Sequence, residues 1–294
     1  MTVATAVRAA AAGSVLVREL VAGPVRAAAV VASGAAATYL DVGGRLLAVV
    51  APGGVHLPCA VVLGGDGWSR LDGSSGGGPR PPGAPPAPGT NLAVGGGTIR
   101  GGRMAVGVVR WFDPRVRVPG VDPAAVDRLA ALVSARSAPD PLLPRVATDR
   151  LAAALGAGDH RAAAAALLGR GTGLTPAGDD LLAGALAALR AVGSTAAEGL
   201  GAAVRDMAPG RTSRLSAALL DAADRGAVVP EAAAVLRAVA AGRGTQGCAS
   251  SAALDDAVLR LTHVGHTSGW HLAAGLAAGL IHARSTAAAC GGAR

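Results

Sequence analysis

The strongest constraint on the fold is a change of pattern at "DPRVRVPGVDP", residues 113–123. Before it, short runs rich in β-branched residues are broken every eight to twelve residues by Gly or Pro, which is strand-and-turn patterning. After it, apolar residues recur at three- and four-residue spacing almost to the C-terminus, which is helical patterning. One chain cannot satisfy both periods in one element. The expected fold class is therefore α+β: a β-rich, barrel- or sandwich-like domain at residues 1–120, then an all-helical domain at 121–294.

Within the first part, "VRAAAVVAS", "AATYLDVGGRLLAVVAP", "CAVVLGG", "NLAVGGGTIRGG" and "RMAVGVVRWFD" read as strands. Gly43 and Gly44 make "DVGGR" a hairpin turn, since both can take positive φ. The "GSSGGGPRPPGAPPAPGT" segment at 73–90 has nothing to bury and is expected to be a disordered loop inserted in the β domain. Helices are expected at 124–136, 147–156, 160–168, 176–192, 195–206, 213–223, 230–241, 251–262 and 268–283. No internal repeat is evident.

Composition narrows the class of protein. The 294 residues suffice for one large domain or two ordinary ones with a sizeable core. That core must be built from small aliphatic side chains, because the chain has one Phe, one Tyr and three Trp. The net charge is +8 and all 27 basic residues are Arg, yet they are scattered singly and the aromatics needed for base stacking are almost absent. Nucleic acid is not the expected partner. Cys59, Cys248 and Cys290 are far apart and form no CxxC, so neither a disulfide framework nor a zinc site is indicated. Arg8, Arg18 and Glu19 interrupt the Ala-rich N-terminal stretch before a signal-peptide core forms. No apolar run reaches the ~20 residues of a membrane span. The expected location is the cytoplasm.

Chemistry concentrates at "GRGTGLTPAGDDLLAGALAAL", Gly169–Leu189. Thr175 is expected to cap a helix that has Pro176 at its first position, with Gly171 and Gly173 permitting the tight backbone before it. Asp179 and Asp180 then lie in the first turn, where the helix dipole favours carboxylates. The dipole explains why acids are tolerated there, but not why the helix behind them lacks a polar face until Arg190. A helix apolar all round is buried by its neighbours, and its acids must then be hydrogen-bonded, on a ligand, or on a cation such as Mg²⁺. A glycine loop running into a helix N-terminus is also an anion cradle, although no Walker lysine follows it.

Two further segments have the same build. "PGRTSRLSAALL" places Thr212 and Ser213 before one apolar helix, and "GHTSGWHLAAGL" places His266, Thr267 and Ser268 before another. Each alone reads as an ordinary hydroxyl cap; together they can converge on one polar pocket. His263, His266 and His271 match no zinc spacing, and no GxSxG nucleophile elbow occurs.

These segments carry a resemblance. "GLTPAGDD", followed in order by "TSRLSAALL" and "HTSG", resembles a bacterial family named after AllH, a subunit of oxamate carbamoyltransferase. The resemblance covers the helical half. Ala177 stands where the family usually has Ser, and the proline-rich segment departs from the family pattern. The resemblance implies a part in carbamoyl transfer between oxalurate and phosphate during allantoin and purine nitrogen breakdown, together with other subunits. The resemblance assigns no catalytic residue; read from the residues themselves, the expected site has Asp179 and Asp180 as catalytic or cation-binding acids. Gly171, Gly173, Thr175, Thr212, Ser213, His266, Thr267 and Ser268 would contact the anionic substrate. Two other classes fit the same residues: a non-catalytic assembly subunit, and a protein that binds a small anion without chemistry.

Overall fold

The computed structural model describes residues 9–65, 84–101, 104–135, 146–241 and 247–291. The chain divides into two compact units, Met1–Pro114 and Arg115–Arg294.

In the first unit, strands β1 (Ala9–Ser14), β2 (Arg26–Ser33), β3 (Ala37–Val42), β4 (Arg45–Val50), β5 (Ala60–Leu63), β6 (Asn91–Gly95), β7 (Thr98–Gly101) and β8 (Met104–Phe112) form a closed barrel. Its order is β1-β5-β4-β3-β2-β6-β7-β8. Closure leaves no sheet edge. It depends on β1, which pairs antiparallel with β5 and parallel with β8. Inward residues such as Leu40, Leu47, Ile99 and Val106 are fully buried, so small aliphatics fill the barrel. A 3₁₀ turn (Val15–Val17) and a short helix, α1 (Arg18–Ala22), connect β1 to β2.

The expected hairpin joins β3 to β4. Val42 faces Arg45 across a two-residue turn, with Gly43 and Gly44 at φ 59° and 85°. Asp41 Oδ1 accepts the Gly44 N–H at 2.8 Å, which pins the turn. Of the proline-rich segment expected to be disordered, residues 73–83 lie outside the described residues. Within residues 84–90, the Gly89 N–H donates to the Val30 carbonyl at 2.8 Å.

The second unit is helical: α2 (Pro123–Ala135), α3 (Val146–Gly156), α4 (His160–Leu167), α5 (Ala177–Ala191), α6 (Ala196–Met207), α7 (Arg214–Asp224), α8 (Pro230–Ala241), α9 (Gly247–Thr262) and α10 (Ser268–Gly291). Most boundaries fall within one or two residues of the periodicity. The exceptions are α9, which starts earlier, and α10, which runs on from 283 to Gly291 because nothing in "RSTAAAC" breaks a helix. Every residue of α5 except Arg190 is buried, and Leu181, Leu182, Leu186 and Leu189 are completely so. At about 1.5–3 kcal/mol for each fully buried leucine, these side chains anchor the unit.

Three helices of this unit run parallel. Gly275 of α10 lies against Leu181 and Ala185 of α5, and Gly279 lies against Ala185 and Ala188, so residue numbers rise together along both helices. The same holds for α5 and α7. Thr212 meets Asp179 at their N-terminal ends, and Asp224 accepts from Arg190 at 2.8 Å near their C-terminal ends. Asp224 is buried and also pairs with Arg205 of α6. That double pairing keeps a buried carboxylate from standing alone.

Candidate functional site

Because α5, α7 and α10 are parallel, their N-termini lie at the same end of the unit. Each N-terminus carries a partial positive charge of roughly half a unit from unsatisfied amides. Gathering three of them is unfavourable unless negative charge or acceptor groups sit there. Asp179 and Asp180, 2% and 8% exposed, occupy that end of α5.

The two acids are held differently. Asp179 Oδ1 accepts the Gly169 N–H at 2.8 Å, and its Oδ2 accepts the Thr212 hydroxyl. It therefore ties the glycine loop and the start of α7 to α5. Glycine at 169 is required, since it has φ 73° and a Cβ there would strike the Arg211 carbonyl oxygen. Among the described residues, the Asp180 carboxyl is met only by the Ser268 and Thr175 hydroxyls. Its Oδ2 is buried and has no hydrogen-bond partner among the described residues. Burial pushes its carboxyl up to about 8; the Ser268 hydroxyl opposes the rise, Asp179 reinforces it, and Thr175 opposes it more weakly.

The hydroxyls complete the cluster. Thr175 and Ser268 share a hydrogen bond of 2.8 Å that links the loop before α5 to the first residue of α10. One of the pair donates to the other, which leaves one hydroxyl proton free to turn toward Asp180. Ser213 caps α7 by accepting the Ser216 N–H at 3.0 Å, and its own hydroxyl donates to the Leu174 carbonyl. The three segments singled out in the sequence thus meet in space.

The structure corrects the expected helix start. Pro176 is the N-cap and α5 begins at Ala177, with no side-chain cap. The Thr175 hydroxyl faces the neighbouring parallel helix, a tertiary partner that periodicity along α5 alone does not reveal. The Gly178 N–H donates to the Arg170 carbonyl at 2.8 Å. The amides of Gly171 to Thr175 make no backbone hydrogen bond among the described residues. Gly171 and Gly173 hold φ of 113° and 88°, and the loop is half-buried to exposed.

Of the remaining expected residues, His266 is exposed on the loop before α10. The Thr267 carbonyl accepts from Trp270 N–H at 3.1 Å and from His271 N–H at 3.3 Å, so its backbone caps the helix. Two neighbours escaped the sequence reading. Ser216 on the first turn of α7 and Trp270 on the first turn of α10 are buried, and Ser216 Oγ and Trp270 Nε1 lack partners among the described residues. A serine three residues after a capping serine, and one of only three tryptophans beside "HTSG", were the available signals.

A divalent cation fits these residues poorly. Both Asp179 oxygens are taken by donors, and the surrounding helix N-termini repel positive charge. Among the described residues no group of three or more His, Cys, Asp or Glu side chains comes together to hold a metal ion.

Thr212→Val tests the Asp179 brace. It keeps the shape, removes the donor and leaves Asp179 Oδ2 buried without it, at an expected cost of about 1–3 kcal/mol. Urea unfolding is expected to show a lower midpoint with an unchanged slope. An unchanged midpoint would mean that the bond does not contribute.

Fold and site together define an α+β protein with a closed barrel and a helical unit whose acids and hydroxyls gather at three convergent helix starts. Residues 167–280, which contain all three motif segments, match the family model described as oxamate carbamoyltransferase subunit AllH; this stretch is AllH-like. The barrel lies outside the match. No curated protein and no solved structure matches the chain. No helix among the described residues is long and apolar enough to cross a membrane.

Proposed function

We propose that the chain is a subunit of an oxamate carbamoyltransferase-like enzyme, acting in the cytoplasm with other subunits to move a carbamoyl group between oxalurate and phosphate. The observation that carries this reading is the convergence of "GLTPAGDD", "RTSR" and "HTSG" at one end of α5, α7 and α10, all inside the family match. Substrates and products of such a reaction carry a carboxylate or phosphate, and convergent helix N-termini attract both. The Gly171–Thr175 amides would hold the anion. Exposed Arg170 and Arg211, brought near each other where Gly169 packs on the Arg211 carbonyl, would draw it in.

In phosphorolysis a phosphate oxygen attacks the carbamoyl carbon, the carbon–nitrogen bond to oxamate breaks, and the phosphate proton ends on the departing nitrogen. What this site can supply is positioning and charge stabilisation in a partly water-excluded setting. Asp179 fixes the loop; Asp180, Thr175 and Ser268 face the ligand.

The test is oxalurate phosphorolysis by the reconstituted complex containing the Asp179→Asn, Asp180→Asn double variant. A loss of about 100-fold or more is expected, the scale of removing groups that stabilise a transition state. Unchanged turnover would take the acids out of the chemistry and leave the chain as an assembly subunit.

A further inference from the structure

The two neighbouring acids are not equivalent. Asp179 has both oxygens engaged, by Gly169 and Thr212, and braces the loop. Asp180 is also buried but keeps an Oδ2 with no partner among the described residues. A buried carboxyl oxygen without a partner is costly, and native structures retain one mainly where something else completes it.

The surroundings restrict what that something is. Burial favours the neutral acid, whereas the N-termini of α5, α7 and α10 favour the anion. A ligand group that suits Asp180 must serve both forms. A primary carboxamide does: its NH₂ donates to a carboxylate oxygen, and its carbonyl accepts from a protonated one. A second carboxylate or a phosphate serves only the protonated form, and otherwise sets like charges side by side. The Thr175–Ser268 hydroxyl pair beside Asp180 adds a neutral donor and acceptor suited to the same group.

We propose that Asp180, with the Thr175 and Ser268 hydroxyls, recognises the primary carboxamide (–CO–NH₂) of oxamate, while the carboxylate end of the same molecule lies on the amides of the Gly171–Thr175 loop. This rests on the functional reading above, in which one small molecule carries both groups. It assigns the two acids separate roles: Asp180 binds ligand, and Asp179 positions the loop that binds the anion.

The test is titration calorimetry on the full-length chain with three probes: oxamate, oxalate and inorganic phosphate. Oxalate matches oxamate in size and replaces the amide by a carboxylate. Wild type is expected to bind oxamate at least about tenfold more tightly than oxalate, the weight of one hydrogen bond to a charged group. Asp180→Leu is expected to bring oxamate down to the oxalate level and to leave phosphate affinity within a factor of about two, phosphate serving as the control for an intact loop. Ser268→Ala, a milder change, is expected to weaken oxamate and spare phosphate. Equal affinity of wild type for oxamate and oxalate overturns the proposal, as does a preference that survives in Asp180→Leu. A complex that carries out phosphorolysis while its chain ignores the amide overturns this inference alone. An oxamate preference in a chain whose complex lacks the activity overturns the functional reading instead.

Discussion

Gly184→Val is expected to lower the thermal midpoint of the helical unit by about 6–12 °C, the shift that roughly 3 kcal/mol produces in a unit of this size. A Cβ at position 184 would collide with the Leu272 carbonyl oxygen and approach the Leu276 nitrogen to 2.8 Å. Gly275 makes the reciprocal approach to Leu181 and lies 2.9 Å, measured from an ideal Cβ, from the Ala185 nitrogen. The obstructing atoms are backbone, so no rotamer change relieves the clash; α5 and α10 must move apart. That separation also loosens the buried leucines of α5 and the Thr175–Ser268 contact. Gly156→Ala is the control. Its Cβ meets open space at the end of α3, and alanine is the better helix former by about 1 kcal/mol, so a neutral or slightly positive shift is expected. Equal shifts in the two variants would show that Gly184 matters for propensity and not for close approach.

Asp180→Leu is expected to be more stable than wild type at high pH, by a margin that depends on pH. The Asp180 carboxyl sits at about 8 in the folded chain against an ordinary 3.8. Between those values the folded protein holds a proton that the unfolded chain releases. Stability from this group is therefore full below about 4, falls as pH rises, and is lost above about 8, at up to about 1.4 kcal/mol per pH unit. Leucine cannot ionise. Its advantage over wild type is expected to be flat at acid pH, to widen through neutrality by a few kcal/mol, and to level off above pH 8. Chemical denaturation of both proteins from pH 5 to 9 reads this directly. A difference independent of pH would show that Asp180 ionises freely in the folded state. Oxamate, if it pairs with Asp180, is expected to flatten the wild-type dependence.

Much of the architecture was legible because local physics and tertiary structure agree. The period change at 113–123 marked where strands give way to helices, and the GlyGly turn at 43–44 announced its hairpin. The apolar circumference of α5 announced its burial. Legibility failed where a neighbour overrode the local signal. "AAAAGS" has strong helix propensity, yet β1 is a strand, because the barrel closes only when that segment joins β5 to β8. Thr175 has the chain position of a cap, yet Pro176 is the N-cap and the Thr175 hydroxyl bonds across to Ser268, because the start of α10 lies within reach.

The sequence by itself determined which residues can build a site: two acids, glycines that permit positive φ, and hydroxyls at three helix starts. Spacing along a chain carries that information because helix capping and dipoles act within a turn or so. Only the tertiary structure decided that α5, α7 and α10 run parallel, since direction depends on the returns made by α6, α8 and α9. It also separated the two acids. Adjacent residues on a helix point about 100° apart, so Asp179 meets Gly169 and Thr212, while Asp180 keeps an unmatched oxygen beside Thr175 and Ser268.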